Sequence, residues 1–97
     1  MREMTDPEML TKEMKKHKLV LIKFYATWCV HCTEQQEILD QMAPELLRYG
    51  IETLSLEEKN AGKIGEQVSG YPTLMIVVDG KPRSMTVGMK SAAQIMK

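Results

Sequence analysis

Aromatic residues are scarce in this chain: one Trp, one Phe and three Tyr among 97 residues. Its core must therefore be built from aliphatic side chains and from the nine methionines, whose flexible thioethers fill irregular gaps. An excess of charge of either sign is also missing, with 13 Lys and Arg against 13 Asp and Glu. That balance excludes the basic footprint of a nucleic-acid-binding or membrane-surface protein. Only two cysteines are present, Cys29 and Cys32, too few for a disulfide-stapled scaffold. The longest strongly apolar runs, Leu19–Ile22 and Leu74–Val78, fall far short of the roughly 20 residues that span a bilayer. No apolar run of about 7–15 residues marks a signal peptide before Lys18, and Met1 reads as a natural start. A cytoplasmic setting and a single domain over residues 1–97 are the expectation.

What is there reads as alternating helices and strands. Thr5-Asp6-Pro7-Glu8 combines an oxygen-bearing cap, a proline for the first turn and an acid, so a helix is expected from Asp6 to His17. Met9, Leu10 and Met14 would share its apolar face. Leu19–Tyr25 reads as a buried parallel strand. A helical pattern follows from Cys29 to Tyr49, with Ile38, Leu39, Met42, Leu46 and Leu47 at steps of three and four. Pro44 is expected to kink or divide it near Asp40–Ala43, and Gly50 to end it. Ile51–Leu56 is a second strand, and strand, helix, strand makes a right-handed βαβ unit. One weak helix is expected over Glu57–Val68. Thr73–Val78 and Arg83–Val87 flank Asp79-Gly80-Lys81, a strong hairpin signal. Lys90–Lys97 closes the chain with a short helix.

The chemistry lies at Cys29-Val30-His31-Cys32. Two cysteines at i and i+3 at a helix start share one face of its first turn. Unpaired N–H groups and the positive end of the helix dipole favour a thiolate on the first sulfur. Thiolate is the nucleophile of disulfide exchange, so Cys29 is the expected attacking group and Cys32 the resolving one. A protonated His31 beside Cys29 would further favour the thiolate and make the motif more oxidising; the competing reading is an exposed ring with little effect. Half a zinc site is a poor alternative, because His31 and His17 are the only further imidazoles and no second CxxC exists. Covalent haem attachment is excluded, since Thr33 follows Cys32 where a histidine is required.

The sequence resembles the thioredoxin family. Phe24-Tyr25-Ala26-Thr27-Trp28-Cys29-x-x-Cys32 is similar to that family's strand and active-site turn. Val68-Ser69-Gly70-Tyr71-Pro72-Thr73 is similar to its cis-proline loop, Asp79-Gly80-Lys81 to its hairpin turn, and Val87-Gly88 to the glycine near its substrate groove. The resemblance implies an α/β thioredoxin fold, a central mixed sheet with helices on both faces. The chain shows no sign of the family's extra N-terminal strand, so four strands are expected. It further implies that Trp28, Val30, Tyr71, Pro72, Gly88 and Met89 border a substrate groove. On its own, Pro72 reads as an ordinary trans proline at a strand entry; the resemblance implies the cis form.

Three departures stand out. Val30-His31 replaces the family's usual Gly-Pro. Lys23 occupies the position of a buried aspartate that assists proton transfer at the second sulfur. Glu37 stands where a helix proline is usual. A desolvated Lys23 amine could lose its proton and act as a base; alternatively it snorkels to solvent and takes no part. Glu57-Glu58-Lys59 reads as a solvated charge run. The leading expectation is a thiol–disulfide oxidoreductase that reduces protein disulfides. It would need no bound cofactor, no metal and no nucleic-acid or membrane partner, would act as a monomer, and would draw electrons from a thioredoxin- or glutaredoxin-type reductase. The alternatives are a more oxidising oxidase or isomerase tuned by His31, and a redox-silent binding module of the same fold.

Overall fold

Alternation along Leu19–Tyr25 sets the architecture of the computed structural model, which describes residues 1–62, 64 and 68–95. Val20, Ile22 and Phe24 point to one face of the sheet and pack with Leu10, Met14, Leu54, Leu56, Met75 and Val77. Leu21 points to the other and packs with Leu39, Met42, Leu46 and Leu74. A strand buried on both faces carries almost no polar alternation, which is why it reads as a continuous apolar run.

The elements are β1 (Arg2–Met4), α1 (Pro7–Lys16), β2 (Leu19–Tyr25), α2 (Val30–Arg48), β3 (Ile51–Glu57), a short 3₁₀ turn (Glu58–Asn60), β4 (Thr73–Val78), β5 (Lys81–Val87) and α3 (Ala92–Ile95). The sheet order is β1-β3-β2-β4-β5. β3 runs parallel to both β1 and β2, whereas β4 is antiparallel to β2 and β5. α1 covers the face that holds Phe24; α2 covers the face that holds Leu21, where Ile95 of α3 also packs.

The expected four strands are therefore five. β1 is too short for any periodicity, and its place comes from tertiary contacts. Met4 is buried in the α1 layer. Two residues earlier on the same face, Arg2 grips the buried Glu13 of α1 with two hydrogen bonds, 2.7 and 3.2 Å, and approaches Glu52 of β3 at 3.8 Å.

α1 begins as its residues dictate, with Asp6 accepting the Met9 N–H at 2.9 Å and Pro7 at the first helical position. Leu10 and Met14 are buried, but Met9 faces outward, where its sulfur accepts the Thr5 hydroxyl. In α2 Leu47 is likewise exposed. The helix runs undivided through Pro44. Asp40 and Pro44 both lie on its solvent side, so water can satisfy the carbonyl left without a donor.

Asp79 and Gly80 both have positive φ, 52° and 80°, and join the Val78–Lys81 pair. Two such residues form a type I′ turn, whose twist matches that of the flanking strands. A register shift after Ile76 and the proline at position 82 blunt the open edge of β5. The helix expected over Glu57–Val68 begins only as the 3₁₀ turn; Lys63, Gly65, Glu66 and Gln67 lie outside the described residues. So do Met96 and Lys97 of the expected closing helix, which is seen over Ala92–Ile95.

Candidate active site

The end of β2 delivers the chain to a tight turn, in which the Cys29 N–H bonds the Ala26 carbonyl at 3.1 Å. Cys29 then caps α2: its sulfur accepts the Cys32 N–H at 3.2 Å. The capping places Sγ among the unpaired N–H groups of a 19-residue helix, the setting that favours a thiolate. Cys29 and Cys32 are joined by a disulfide, with Cα atoms 5.3 Å apart. Cys29 retains 9% of its surface and Cys32 only 3%.

A rim forms around the sulfurs from distant stretches of chain. The Trp28 ring meets the Tyr71 ring edge-on, 5.9 Å between centroids and 89° between planes. Its indole N–H donates to the Glu58 carboxylate at 3.0 Å. Burial raises the Tyr71 phenol above its ordinary pKa, and the Glu58 charge adds to the shift. Tyr71 packs against the pair formed by Cys29 and Cys32. The Tyr71–Pro72 peptide bond is cis. The Pro72 carbonyl accepts the Gly88 N–H at 2.8 Å, and the Thr73 hydroxyl donates to the Gly70 carbonyl at 2.6 Å. Gly88 has φ +98°, a conformation that a side chain would strain, so the turn before Met89 needs glycine. Val30, next to Cys29, and Val87 and Met89, on either side of Gly88, are exposed.

Behind the sulfurs lies a cavity of about 300 Å³ lined by Glu3, Lys23, Tyr25, Cys29, Cys32 and Gln36, among others. Lys23 does not snorkel to solvent: it is 2% exposed on the α2 face of β2. Its ammonium donates to the Gln36 side-chain carbonyl and lies 4.4 Å from the Tyr25 ring centroid. Burial lowers the Lys23 pKa, with the Glu3 and Asp40 carboxylates opposing the shift. Tyr25 is pushed up to about 12, chiefly by burial and then by its bond to Glu3. Register aligns Glu3 and Lys23 on either side of Ser55, whose buried hydroxyl has no protein partner. A water bridging this polar row would satisfy that hydroxyl.

The structure thus brings Cys29, Cys32, Trp28, Tyr71, Pro72 and Gly88 into one constellation and opens Lys23 onto the same sulfurs. His31 stands apart. Its side chain is 68% exposed, with Glu34 at 4.0 Å. Glu58, Gln36 and Glu3 are site neighbours that the sequence did not reveal. Glu58 sat in a charge run resembling any solvated loop, and Glu3 in a strand without a pattern.

The thioredoxin family model matches residues 2–97, nearly the whole chain. The chain belongs to the thioredoxin family. It is a thiol–disulfide oxidoreductase of that family, with the Cys29–Cys32 pair as its CxxC centre. Among its relatives, protein disulfide-isomerase 1 of Caenorhabditis elegans is 36% identical over 84 residues, covering 82% of this chain but 17% of that much longer protein. Thioredoxin of Mycobacterium bovis is 29% identical over 96 residues, covering 98% of this chain and 83% of that one. A solved thioredoxin variant from Halobacterium salinarum superposes with a TM-score of 0.87 at 20% identity, covering 97% of this chain and 82% of the other. At that identity the likeness speaks for the thioredoxin fold alone. Among the described residues no helix is long and apolar enough to cross a membrane.

Proposed function

We propose that this protein reduces disulfides in protein substrates through a Cys29/Cys32 dithiol–disulfide cycle. The observation that carries the reading is the asymmetry of the two sulfurs: Cys29 caps the helix and is the more accessible of the two, and Cys32 lies one turn along and is more deeply buried. The Cys29 thiolate attacks one sulfur of the substrate disulfide and expels the other as a thiolate. The Cys32 thiolate then attacks the Cys29 sulfur, forms the intramolecular disulfide and releases the second substrate thiol. Two electrons pass to the substrate, and a thioredoxin- or glutaredoxin-type reductase returns them. The cycling disulfide is itself the redox group, so the reaction calls for no bound cofactor.

In this proposal Trp28, Val30, Tyr71, Pro72, Gly88 and Met89 form the docking groove. The Tyr71 backbone, just ahead of β4, pairs in this proposal with an extended substrate segment. Lys23, reaching the cavity below Cys32, takes the proton of the resolving thiol when its amine is neutral. The protein acts as a monomer in the cytoplasm. The test is trapping. A reduced Cys32→Ser variant incubated with a disulfide-bonded protein should accumulate a covalent adduct through Cys29, visible by non-reducing electrophoresis. A variant that forms no adduct while Cys29 remains alkylatable would remove the reading.

A second reading, a more oxidising exchange protein of the disulfide-isomerase kind, draws on the 36% identity to such a protein. In it His31 stabilises the Cys29 thiolate. The exposure of His31 limits this influence to about 0.3–1 kcal/mol, the range for a solvent-exposed ion pair. His31→Pro should therefore lower the reduction potential by only about 6–20 mV, taking 30 mV as about 1.4 kcal/mol. Equilibration against glutathione buffers measures it, and an unchanged potential would discharge His31 from any tuning role.

A further inference from the structure

Gln35 is a polar side chain with no accessible surface, three residues beyond Cys32 on α2. A buried amide must find partners for both of its ends. Gln35 finds both on a single residue 55 positions away: its Nε2 donates to the Lys90 carbonyl at 3.1 Å, and its Oε1 accepts the Lys90 N–H at 2.7 Å. The side chain thus imitates one rung of a β-ladder. It ties the segment after Gly88 to the helix that carries the disulfide. On its other side the same segment is tied to the Tyr71–Pro72 loop by the Gly88 N–H to Pro72 carbonyl bond, 2.8 Å. The three parts of the proposed docking groove are therefore joined by three hydrogen bonds, and two of them belong to Gln35.

We infer that Gln35 is a positioning residue for protein substrates: it holds the Gly88–Lys90 segment in the binding-competent arrangement beside Cys29. The inference rests on the groove reading given above. Gln35 touches neither sulfur among its hydrogen bonds, so it governs docking and leaves the exchange step alone. When a binding-competent state is populated only in part, apparent affinity falls by that fraction. Each neutral hydrogen bond contributes modestly, and losing the pair should depopulate the competent segment about tenfold.

Gln35→Met keeps the length and burial of the side chain and deletes both bonds. In the reduced variant, the rate of reaction with a small aromatic disulfide, 5,5′-dithiobis(2-nitrobenzoate), should stay within about twofold of the parent. KM for reduction of insulin should rise about tenfold with kcat little changed, and the Lys90 amide should lose hydrogen-exchange protection. Unchanged KM for insulin would overturn the inference, and so would an equal fall in both reactions, which would place Gln35 in the sulfur chemistry. Met89→Ala separates this from the groove reading. If it raises KM for insulin while Gln35→Met does not, the positioning role alone falls; if neither variant changes KM, the groove reading falls and takes the inference with it. Should Gln35→Met fail to fold, Gln35→Glu replaces it. That side chain keeps the Lys90 N–H bond and can donate to the Lys90 carbonyl only when protonated. Its KM relative to the parent protein should fall on acidification from about pH 8 to 5.5, since burial raises a carboxyl pKa towards that range. A flat ratio would overturn the inference.

Discussion

Cys29→Ser should abolish turnover of protein disulfides, a fall of roughly 10³-fold or more, the scale seen when a covalent nucleophile is removed. The reason is specific to sulfur. The hydroxyl that replaces the thiol is scarcely ionised near neutral pH, and its oxygen cannot enter the sulfur–sulfur exchange that both steps require. The fold should survive the change. Cys29 serves α2 as its N-cap through the Cys32 N–H, and serine is among the preferred caps for that bond. A matched circular dichroism spectrum and thermal midpoint would show that loss of activity is not loss of structure. Insulin reduction by dithiothreitol, followed as turbidity, provides the readout. Equal rates for parent and variant would leave the protein as a binding module with an incidental disulfide.

The route from sequence to this site was uneven, for physical reasons. The CxxC centre was legible because its chemistry is local: two sulfurs and a helix start lie within four consecutive residues. β2 and the Asp79-Gly80 hairpin were legible for the same reason, since apolar runs and turn chemistry act over short range. β1 was not. Its three residues carry no period, and Met4 and Arg2 are held by partners in α1 and β3. The missed strand also hid a neighbour of the site, because Glu3 reaches the cavity that the sulfurs line from that edge. Pro44 misled in the opposite direction: the local penalty is real, but its solvent-facing position makes the lost bond tolerable. The rim needed Trp28, Glu58 and Tyr71 to meet, and the Gln35–Lys90 pair bridges 55 positions. Neither contact leaves a trace in the spacing of residues.

Lys23→Met should make the protein more stable and its second thiol step slower. Lys23 is almost wholly buried, with its ammonium held by the Gln36 carbonyl and the face of Tyr25, so it has surrendered most of its water for neutral partners. Burial lowers its pKa from the ordinary Lys value, with Glu3 and Asp40 recovering part of the loss. Between that lowered value and the unfolded value of about 10.4, the unfolded chain binds more protons, so stability rises with pH across this window. Below the lowered value the full cost of the buried charge is present. Lys23→Met removes it, and the gain should be about 1–2 kcal/mol at neutral pH, or about 5–10 °C in Tm for a domain of this size. The gain should shrink as pH rises through the lowered Lys23 value and vanish near the ordinary one. In the proposed chemistry, a neutral amine on the cavity that Cys32 also lines accepts its proton, an assistance worth roughly 10²-fold at the low end of general base catalysis. Stopped-flow release of the second substrate thiol should lose that acceleration in the variant, most visibly on the alkaline side, where the parent amine is neutral. The two readouts separate the roles. A variant that is more stable but slow marks Lys23 as a base retained at the expense of stability. A variant that is more stable, with an unaltered pH–rate profile, would leave the lysine as a buried charge without a part in the exchange. The proton of Cys32 would then pass to another acceptor, such as water or the Glu3 carboxylate that lines the same cavity.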